Sequence, residues 1–207
     1  MYEYGGSLYD VLPDGRLIFS NKDNSIRLLN PDTGRVSLIA QDPVLRYCGF
    51  HASPNSPWVL AIEEDHTHDT PTTIQDYIVA ININTTEIRR IITGADFYYL
   101  PSFSYDGTQL TWLEWNRPEQ LFESSRMYRA KWNTGASISD VELIAGSEED
   151  SVTEPRWGPD GSLFFCKEAG EYRELFRVAP GDHNPKKISL SGMEETEFGE
   201  VRLFEGR

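Results

Sequence analysis

The sequence predicts an all-β fold, and three features lead to this prediction. Apolar and polar residues alternate over short runs, these runs are rich in β-branched and aromatic residues, and convincing helical periodicity is nearly absent. Aromatic residues make up 12% of the chain, which also favours strands. The length of 207 residues, with 39% hydrophobic and 25% charged positions, is typical of one folded globular domain.

Four turns of Pro, Asp, Asn and Gly, each followed by a tight apolar or aromatic run, punctuate the chain. Pro and Asp initiate such a turn and Gly supplies the positive φ, so the chain reverses into the next strand. Counted at their Asp or Asn, the turns are spaced by 41, 51 and 54 residues, which matches a four-stranded β-propeller blade. The four units are residues 12–19, 53–62, 104–113 and 158–165.

A second alternating run follows each unit and ends in a turn, at 26–34, 77–84, 127–135 and 174–178. The sequence therefore predicts a single propeller domain of about four to five blades, with the last one incomplete. We place the blades approximately at 1–45, 46–94, 95–148 and 149–190, with the start of a further blade at 191–207. The acidic stretches 63–69 and 146–150 are interpreted as surface connections between strand pairs.

An incomplete ring exposes strand edges, and exposed edges invite pairing with another chain. Three alternatives follow, in order of preference. The chain closes as a small propeller, it pairs with a second copy as a homodimer through its open blade edges, or it is a truncated gene product.

The charge of the chain limits its partners. A formal charge of -14 repels a phosphate backbone and an anionic membrane surface, so nucleic acid and membrane are not expected as partners. An amine-bearing ligand would be attracted, although acidity that serves only solubility is the preferred reading. No apolar run approaches the ~20 residues of a membrane span, and residues 1–6 do not resemble a signal peptide. We expect a soluble, cytoplasmic protein.

Cys48 and Cys166 lie far apart and show neither CxxC nor zinc-ligand spacing, so we expect two buried thiols and no cofactor. His66, His68 and Asp69 are residue types that bind divalent metals. A third ligand would have to come from another segment, so no metal site is predicted and a hydrogen-bonded role for His66 is preferred.

Six segments together resemble the propeller of dipeptidyl-aminopeptidase and acylaminoacyl-peptidase-like members of the prolyl oligopeptidase family, a TolB-like fold. The run Gly-x-Asp-Phe-Tyr-x-x-Pro-x-x-Ser-x-Asp-Gly at 94–107 is the most specific of them. The segments are 2–6, 17–21, 46–47, 61–66, 94–107 and 154–161.

This resemblance implies a funnel-shaped propeller that sits over an α/β-hydrolase domain and filters peptides by size. The sequence contains no Gly-x-Ser-x-Gly nucleophile motif, so peptide hydrolysis by these 207 residues alone is not expected. The stretches 116–118 and 121–123 also depart from the family, which usually has His-Pro and then Pro-Trp-Asp there.

Asp96 stands among aromatic residues at the start of a predicted inner strand. It could face the channel and bind an amine or transfer a proton, while the preferred alternative is that it caps a turn and the aromatic residues pack between blades. Arg46 could bind a carboxylate or bridge two blades. Glu154 is interpreted as the equivalent of Asp96 in its own blade. The candidate acid–base residues are Glu64, His66, Asp96 and Tyr98, and the candidate ligand-binding residues are Arg46, Tyr47, Asp96, Phe97, Tyr98, Trp115 and Glu154.

Three hypotheses for function remain. The first, which we prefer, is a non-catalytic propeller module that binds a peptide, a small molecule or a partner protein. The second is a propeller enzyme for a small-molecule cyclisation, isomerisation or elimination that uses the acid–base candidates. The third is a fragment of a longer peptidase.

Overall fold

The computed structural model describes residues 7–168, 172–189, 191–192 and 198. The segment 2–6 and most of the further blade predicted at 191–207 lie outside the described residues. Within these ranges the secondary structure is entirely β, and no helix is long and apolar enough to cross a membrane.

The fold is a β-propeller, which confirms the predicted class. Four antiparallel four-stranded sheets follow one another along the chain, and in each sheet the strands lie in sequence order. We call these sheets blades 1 to 4. Blade 1 contains β1 (Tyr9–Val11), β2 (Leu17–Ser20), β3 (Ser25–Leu29) and β4 (Val36–Gln41); blade 2 contains β5 (Leu45–Ala52), β6 (Trp58–Asp65), β7 (Gln75–Asn82) and β8 (Ile88–Ile92); blade 3 contains β9 (Phe97–Phe103), β10 (Gln109–Trp115), β11 (Ser125–Asn133) and β12 (Ser137–Ser147); blade 4 contains β13 (Val152–Trp157), β14 (Leu163–Glu168), β15 (Arg173–Val178) and β16 (Lys186–Lys187).

The turn between the first two strands has the same chemistry in three of the blades. In blade 3, Gly107 has a φ of 67° and donates its N–H to the carbonyl of Ser104 at 2.9 Å. The Asp106 carboxylate accepts the hydroxyl of Ser104 at 2.6 Å and the N–H of Thr108 at 3.1 Å. These bonds lower the pKa of Asp106. The turns at Asp14 and Asp160 repeat the carboxylate-to-backbone bond.

Three hydrophobic cores join consecutive blades. In each core, apolar side chains from one face of a blade pack against the opposite face of the next blade. Ile18 and Leu28 of blade 1 pack with Val59 and Ile81 of blade 2. The blade 2–3 core contains Leu60, Ile62, Leu110 and Trp112, and the blade 3–4 core contains Leu113, Met127, Leu163 and Phe165.

The inner strands of blades 2, 3 and 4 each contain a bulge at the same place. The registers of β5, β9 and β13 with their neighbours shift at this point, and the first bulged residue has a left-handed backbone. These residues are Gly49 (φ 62°), Leu100 (φ 48°) and Glu154 (φ 54°). Glu154 is thus the equivalent of Leu100, so its predicted equivalence to Asp96 is wrong, because Asp96 precedes β9 altogether.

One face of blade 1 is largely uncovered. The strand registers place seven apolar side chains on it, and Tyr9, Val11 and Leu38 are 57%, 54% and 53% exposed. We call it the open face. It consists of Tyr9, Val11, Leu17, Phe19, Leu29, Val36 and Leu38, together with Arg27, which the registers place on the same face and which pairs with Asp23.

The acidic stretch 63–69 is only partly the surface connection that the sequence predicted. Glu63 and Glu64 belong to β6 and are buried. Glu63 accepts the hydroxyl of Tyr47 at 2.7 Å and pairs with the Arg90 guanidinium at 2.6 Å, and these bonds offset the cost of its burial.

The repeated turn can be tested through Asp106. Replacing it with Ala removes the acceptor for Ser104 and Thr108, so we expect Asp106→Ala to lower the free energy of unfolding by about 1–2 kcal/mol, as urea denaturation would measure. Asp32→Ala, in the exposed turn between β3 and β4, is the control. Equal effects of the two substitutions would contradict the structural role of the repeated turn.

Candidate functional site

The inner strands of blades 2, 3 and 4 border a cavity of about 690 Å³, which we call the central cavity. Most of its wall comes from β5, β9 and β13 and the residues that follow these strands. Ser7, just before β1, and Ile62 of β6 complete it. The described lining residues are Ser7, Gly49, Phe50, His51, Ala52, Pro54, Ile62, Tyr99, Leu100, Pro101, Ser102, Phe103, Ser104, Tyr105, Pro155, Arg156 and Trp157.

One position of the inner strand carries a polar residue in every blade. This position lies one residue before the end of the inner strand, and it pairs with the second or third residue of the next strand. The residues found there are Asp10, His51, Ser102 and Arg156. We call these four residues the polar ring. Three of its members, all except Asp10, line the central cavity.

Two members of the polar ring bind the backbone of the next blade. Asp10 accepts the N–H of Ala52 at 2.7 Å, and Nδ1 of His51 accepts the N–H of Phe103 at 3.2 Å. Ala52 and Phe103 occupy the equivalent position in blades 2 and 3. These side chains therefore satisfy amides that face the channel edge of the inner strand, where no ladder partner exists.

His51 is held neutral by this arrangement. Its Nδ1 accepts a hydrogen bond and must be unprotonated, so the hydrogen of the neutral ring resides on Nε2. Burial lowers the pKa of His51, and the negative charge of Asp10 opposes this shift. The ring also packs against Phe103, with centroids 6.2 Å apart.

Arg156 is the only Lys, Arg, Asp or Glu among the described lining residues. Its side chain is 60% exposed and contacts the Glu154 carboxylate at 2.6 Å and the Pro155 carbonyl at 2.9 Å. An exposed guanidinium at a cavity can bind a carboxylate or a carbonyl oxygen of a ligand.

Aromatic and proline side chains form most of the remaining wall. Phe50, Phe103 and Trp157 are buried, whereas Tyr105 is 65% exposed. Burial raises the pKa of Tyr99, and the nearby Glu154 carboxylate adds to the rise, so the Tyr99 hydroxyl is neutral at physiological pH. The cavity thus offers apolar walls with a few polar groups, as ligand sites commonly do.

The sequence-predicted residues around Asp96 lie away from the central cavity. Asp96 pairs with the Arg117 guanidinium at 2.6 Å and accepts its backbone N–H at 2.9 Å. Phe97 is buried and stacks on Trp115 with centroids 5.3 Å apart. Tyr98 is buried, which raises its pKa to about 12, and its hydroxyl accepts the N–H of Ala95.

His66 is buried between two carboxylates. Its Nδ1 is 2.8 Å from Asp69 and its Nε2 is 3.2 Å from Glu64. Burial raises the pKa of Glu64, whereas the His66 contact lowers it. The space beside Glu64 and His66 measures only about 10 Å³, the size of one water molecule.

The remaining candidates also have positions outside the cavity wall. Arg46 lies opposite Glu64 in the β5–β6 ladder, and Tyr47 is buried with its hydroxyl on Glu63. Glu154 lies next to the wall through its pair with Arg156. The ligand and acid–base roles given to these residues stay predictions.

Sequence reasoning missed most residues of the central cavity, His51 and Arg156 among them as lining residues. The repeated turns could have indicated these lining residues, because most lining segments end at or shortly before the Pro or Asp that opens a turn. The polar ring itself has four different residue types, so no repeat in the sequence reveals it.

Within the described residues, no group of three or more His, Cys, Asp or Glu side chains could hold a metal ion. Both cysteines are buried, Cys48 in the blade 2–3 core and Cys166 in blade 4.

Comparisons with solved structures identify proteins of the same fold. A mutant puromycin hydrolase complexed with PGG superimposes with a TM-score of 0.80 and 22% identity over 92% of this chain and 32% of its own. A Mycobacterium tuberculosis puromycin-hydrolyzing peptidase gives 0.73 and 24% over 85% of this chain and 29% of its own. An oligogalacturonate lyase from Vibrio parahaemolyticus gives 0.70 and 15% over 87% of this chain and 52% of its own.

The present chain thus spans about a third of the length of the puromycin hydrolases. A prolyl endopeptidase also shares the fold, with a TM-score of 0.59 and 12% identity. The predicted resemblance to peptidase propellers is confirmed as a likeness of fold. No model of a protein family matches the sequence, and no curated protein is significantly similar to it.

The role of His51 gives a pH prediction. Folding lowers the pKa of His51 from its value near 6.5 in the unfolded chain. The contribution of His51 to the free energy of unfolding is therefore complete above pH 6.5 and is lost as the pH falls below it. Asn at this position keeps an acceptor but does not titrate. We expect His51→Asn to reduce the fall in unfolding free energy between pH 7.5 and pH 5, as urea denaturation would measure.

The exposed His68 provides the matched control, and His68→Asn should leave the pH dependence unchanged. If His51→Asn retains the full pH dependence of the original protein, His51 is not a neutral acceptor.

Proposed function

We propose that this chain is a non-catalytic propeller module that binds short peptides in the central cavity. The observation that carries the proposal is the cavity itself: the inner strands of blades 2, 3 and 4 border about 690 Å³ of space, within the ~300–1,000 Å³ range of ligand sites.

The chemistry of the wall suits a peptide. Aromatic rings and prolines offer apolar contacts to peptide side chains, while Ser102, Ser104 and the Arg156 guanidinium offer hydrogen bonds to backbone carbonyls or a carboxylate. His51, in the tautomer described above, adds a donor at Nε2. The mutant puromycin hydrolase of the same fold was crystallised complexed with PGG, and a related type of ligand would fit this proposal.

The geometry gives less support to the enzyme alternative. The paired acid–base candidates, His66 and Glu64, border a space for about one water rather than the central cavity. Asp96 is engaged twice by Arg117. The described lining of the central cavity contains neither Asp nor Glu, so a proton-transfer pair would have to involve His51 or Tyr99.

Tyr105 provides a test of peptide binding because it is a largely exposed wall residue that contributes little to the core. We expect Tyr105→Ala to weaken the binding of tripeptides that contain proline or an aromatic residue about fivefold to tenfold, since an aromatic contact contributes about 1–1.4 kcal/mol. Isothermal titration calorimetry would measure the change.

The matched control is Tyr172→Ala, which removes an exposed tyrosine outside the described lining. An unchanged affinity in Tyr105→Ala, or no binding of any such tripeptide to the original protein, would contradict the proposal.

The module should leave its ligand intact. We expect mass spectrometry to recover bound tripeptides unchanged after prolonged incubation, because these 207 residues contain no nucleophile motif. Peptide cleavage that His66→Asn abolishes would instead support an enzyme built on the Glu64–His66 pair.

A further inference from the structure

Two arginines flank an asparagine at one end of blade 1. The β2–β3 ladder ends with Leu17 opposite Leu29. One further step along the two strands sets Arg16 opposite Asn30, within the ~5 Å that separates directly opposed residues. On its other side, Asn30 donates its N–H to the Arg35 carbonyl at 2.9 Å. We call Arg16, Asn30 and Arg35 the arginine row.

The arginine row lies on the face of blade 1 that packs against blade 2. Side chains two residues apart on a strand share a face. Each member of the row therefore shares the face of the residue two positions further into its strand, which is Ile18, Leu28 or Ser37. Ile18 and Leu28 are buried in the core between blades 1 and 2, and Ser37 stands opposite Leu28 in the β3–β4 ladder.

The arginine row borders an open pocket of about 210 Å³, which Leu28 and Ser37 complete. We call it the arginine pocket. A second space of about 320 Å³ shares Arg16 with this pocket and runs between blades 1 and 2, and we call it the apolar groove. The apolar residues of its lining are Leu12, Pro13, Pro54, Pro57, Val59 and Ile83.

Several donors of the arginine pocket remain available to a ligand. The Arg35 guanidinium forms no hydrogen bond or ion pair with any described residue. Arg16 binds one oxygen of Asp14 through Nε and Nη2, at 2.9 and 2.7 Å, which leaves its Nη1 group. The Asn30 amide accepts the N–H of Thr33 through Oδ1 at 3.1 Å, so its Nδ2 group is still a donor.

This donor set fits a phosphate group better than a carboxylate. A carboxylate presents two oxygens in one plane, which a single guanidinium fork satisfies. A phosphate monoester presents three terminal oxygens in a tetrahedral arrangement, and the donors here come from three different strand ends. Asp14 is the only acid in the described lining of either space, so the two arginines leave a local charge of +1.

We propose that the arginine pocket binds the phosphate group of a small organic phosphate monoester, with the organic part of the ligand in the apolar groove. The two spaces share only Pro54 with the described lining of the central cavity, so this site is separate from the peptide site. The net charge of -14 acts mainly over distances beyond the ~8 Å screening length at physiological salt, whereas the arginines contact the ligand directly.

Isothermal titration calorimetry with phenyl phosphate tests the proposal. We expect Arg35→Gln to weaken the binding of phenyl phosphate at least tenfold, because the substitution removes a charge-assisted donor fork. Lys22→Gln is the matched control, since it removes one positive charge from the exposed turn between β2 and β3, at the opposite end of the same blade. The control should change the affinity by less than twofold.

Two further ligands separate the pocket from the groove. Benzoate has the same ring as phenyl phosphate but a carboxylate in place of the phosphate, and we expect it to bind at least tenfold more weakly. Inorganic phosphate lacks the ring and should also bind more weakly, because it cannot use the apolar groove. Equal affinities of benzoate and phenyl phosphate would overturn the choice of a phosphate group, and equal affinities of inorganic phosphate and phenyl phosphate would overturn the choice of an organic ester.

Circular dichroism and a peptide titration complete the test. The strand signal of Arg35→Gln should equal that of the original protein, since Arg35 is exposed. Its affinity for tripeptides should be unchanged, so the peptide site and the phosphate site succeed or fail independently. No binding of phenyl phosphate to the original protein, or an equal loss in Arg35→Gln and Lys22→Gln, would overturn the proposal.

Discussion

The propeller depends on how the free edge of each inner strand is satisfied. An inner strand has a ladder partner on one side only, and its remaining amides face the channel. In blades 2 and 3 a side chain of the preceding blade accepts one such amide: Asp10 binds Ala52, and His51 binds Phe103. His51 also lines the central cavity, so this side chain serves both the cavity wall and the link between blades 2 and 3.

The inner-strand bulges set the shape of the cavity. A left-handed residue at Gly49, Leu100 and Glu154 bends each strand within or next to its lining segment. Glycine adopts this backbone freely, whereas Leu100 and Glu154 do so at a cost of about 1–3 kcal/mol each. The interblade cores offset this cost, and the result is that Phe50, Pro101 and Pro155 occupy equivalent positions around one space.

The sequence was sufficient for the fold but not for the site. Repeated turns with Asp and Gly predicted the strand units because their hydrogen bonds are local, as at Asp106 and Gly107. The sequence favours packing between blades for the aromatic residues at 97–99, and Phe97 and Tyr98 do lie in the blade 3–4 and blade 2–3 cores. His51 escaped notice because its partner, Phe103, is distant in the sequence and belongs to another blade. Burial of Glu63 was missed for the same reason, since Arg90 comes from two strands later.

Hydrogen exchange at the amides of Ala52 and Phe103 tests the central claim most directly. Both N–H groups lie at the channel edge, and a side chain of the preceding blade binds each of them. If the blades are joined as described, these amides should exchange as slowly as the ladder amides of the blade cores, through opening of the whole propeller. Exchange at the rate of the exposed loop around His68 would contradict it and would mean that neither residue links its blade to the next.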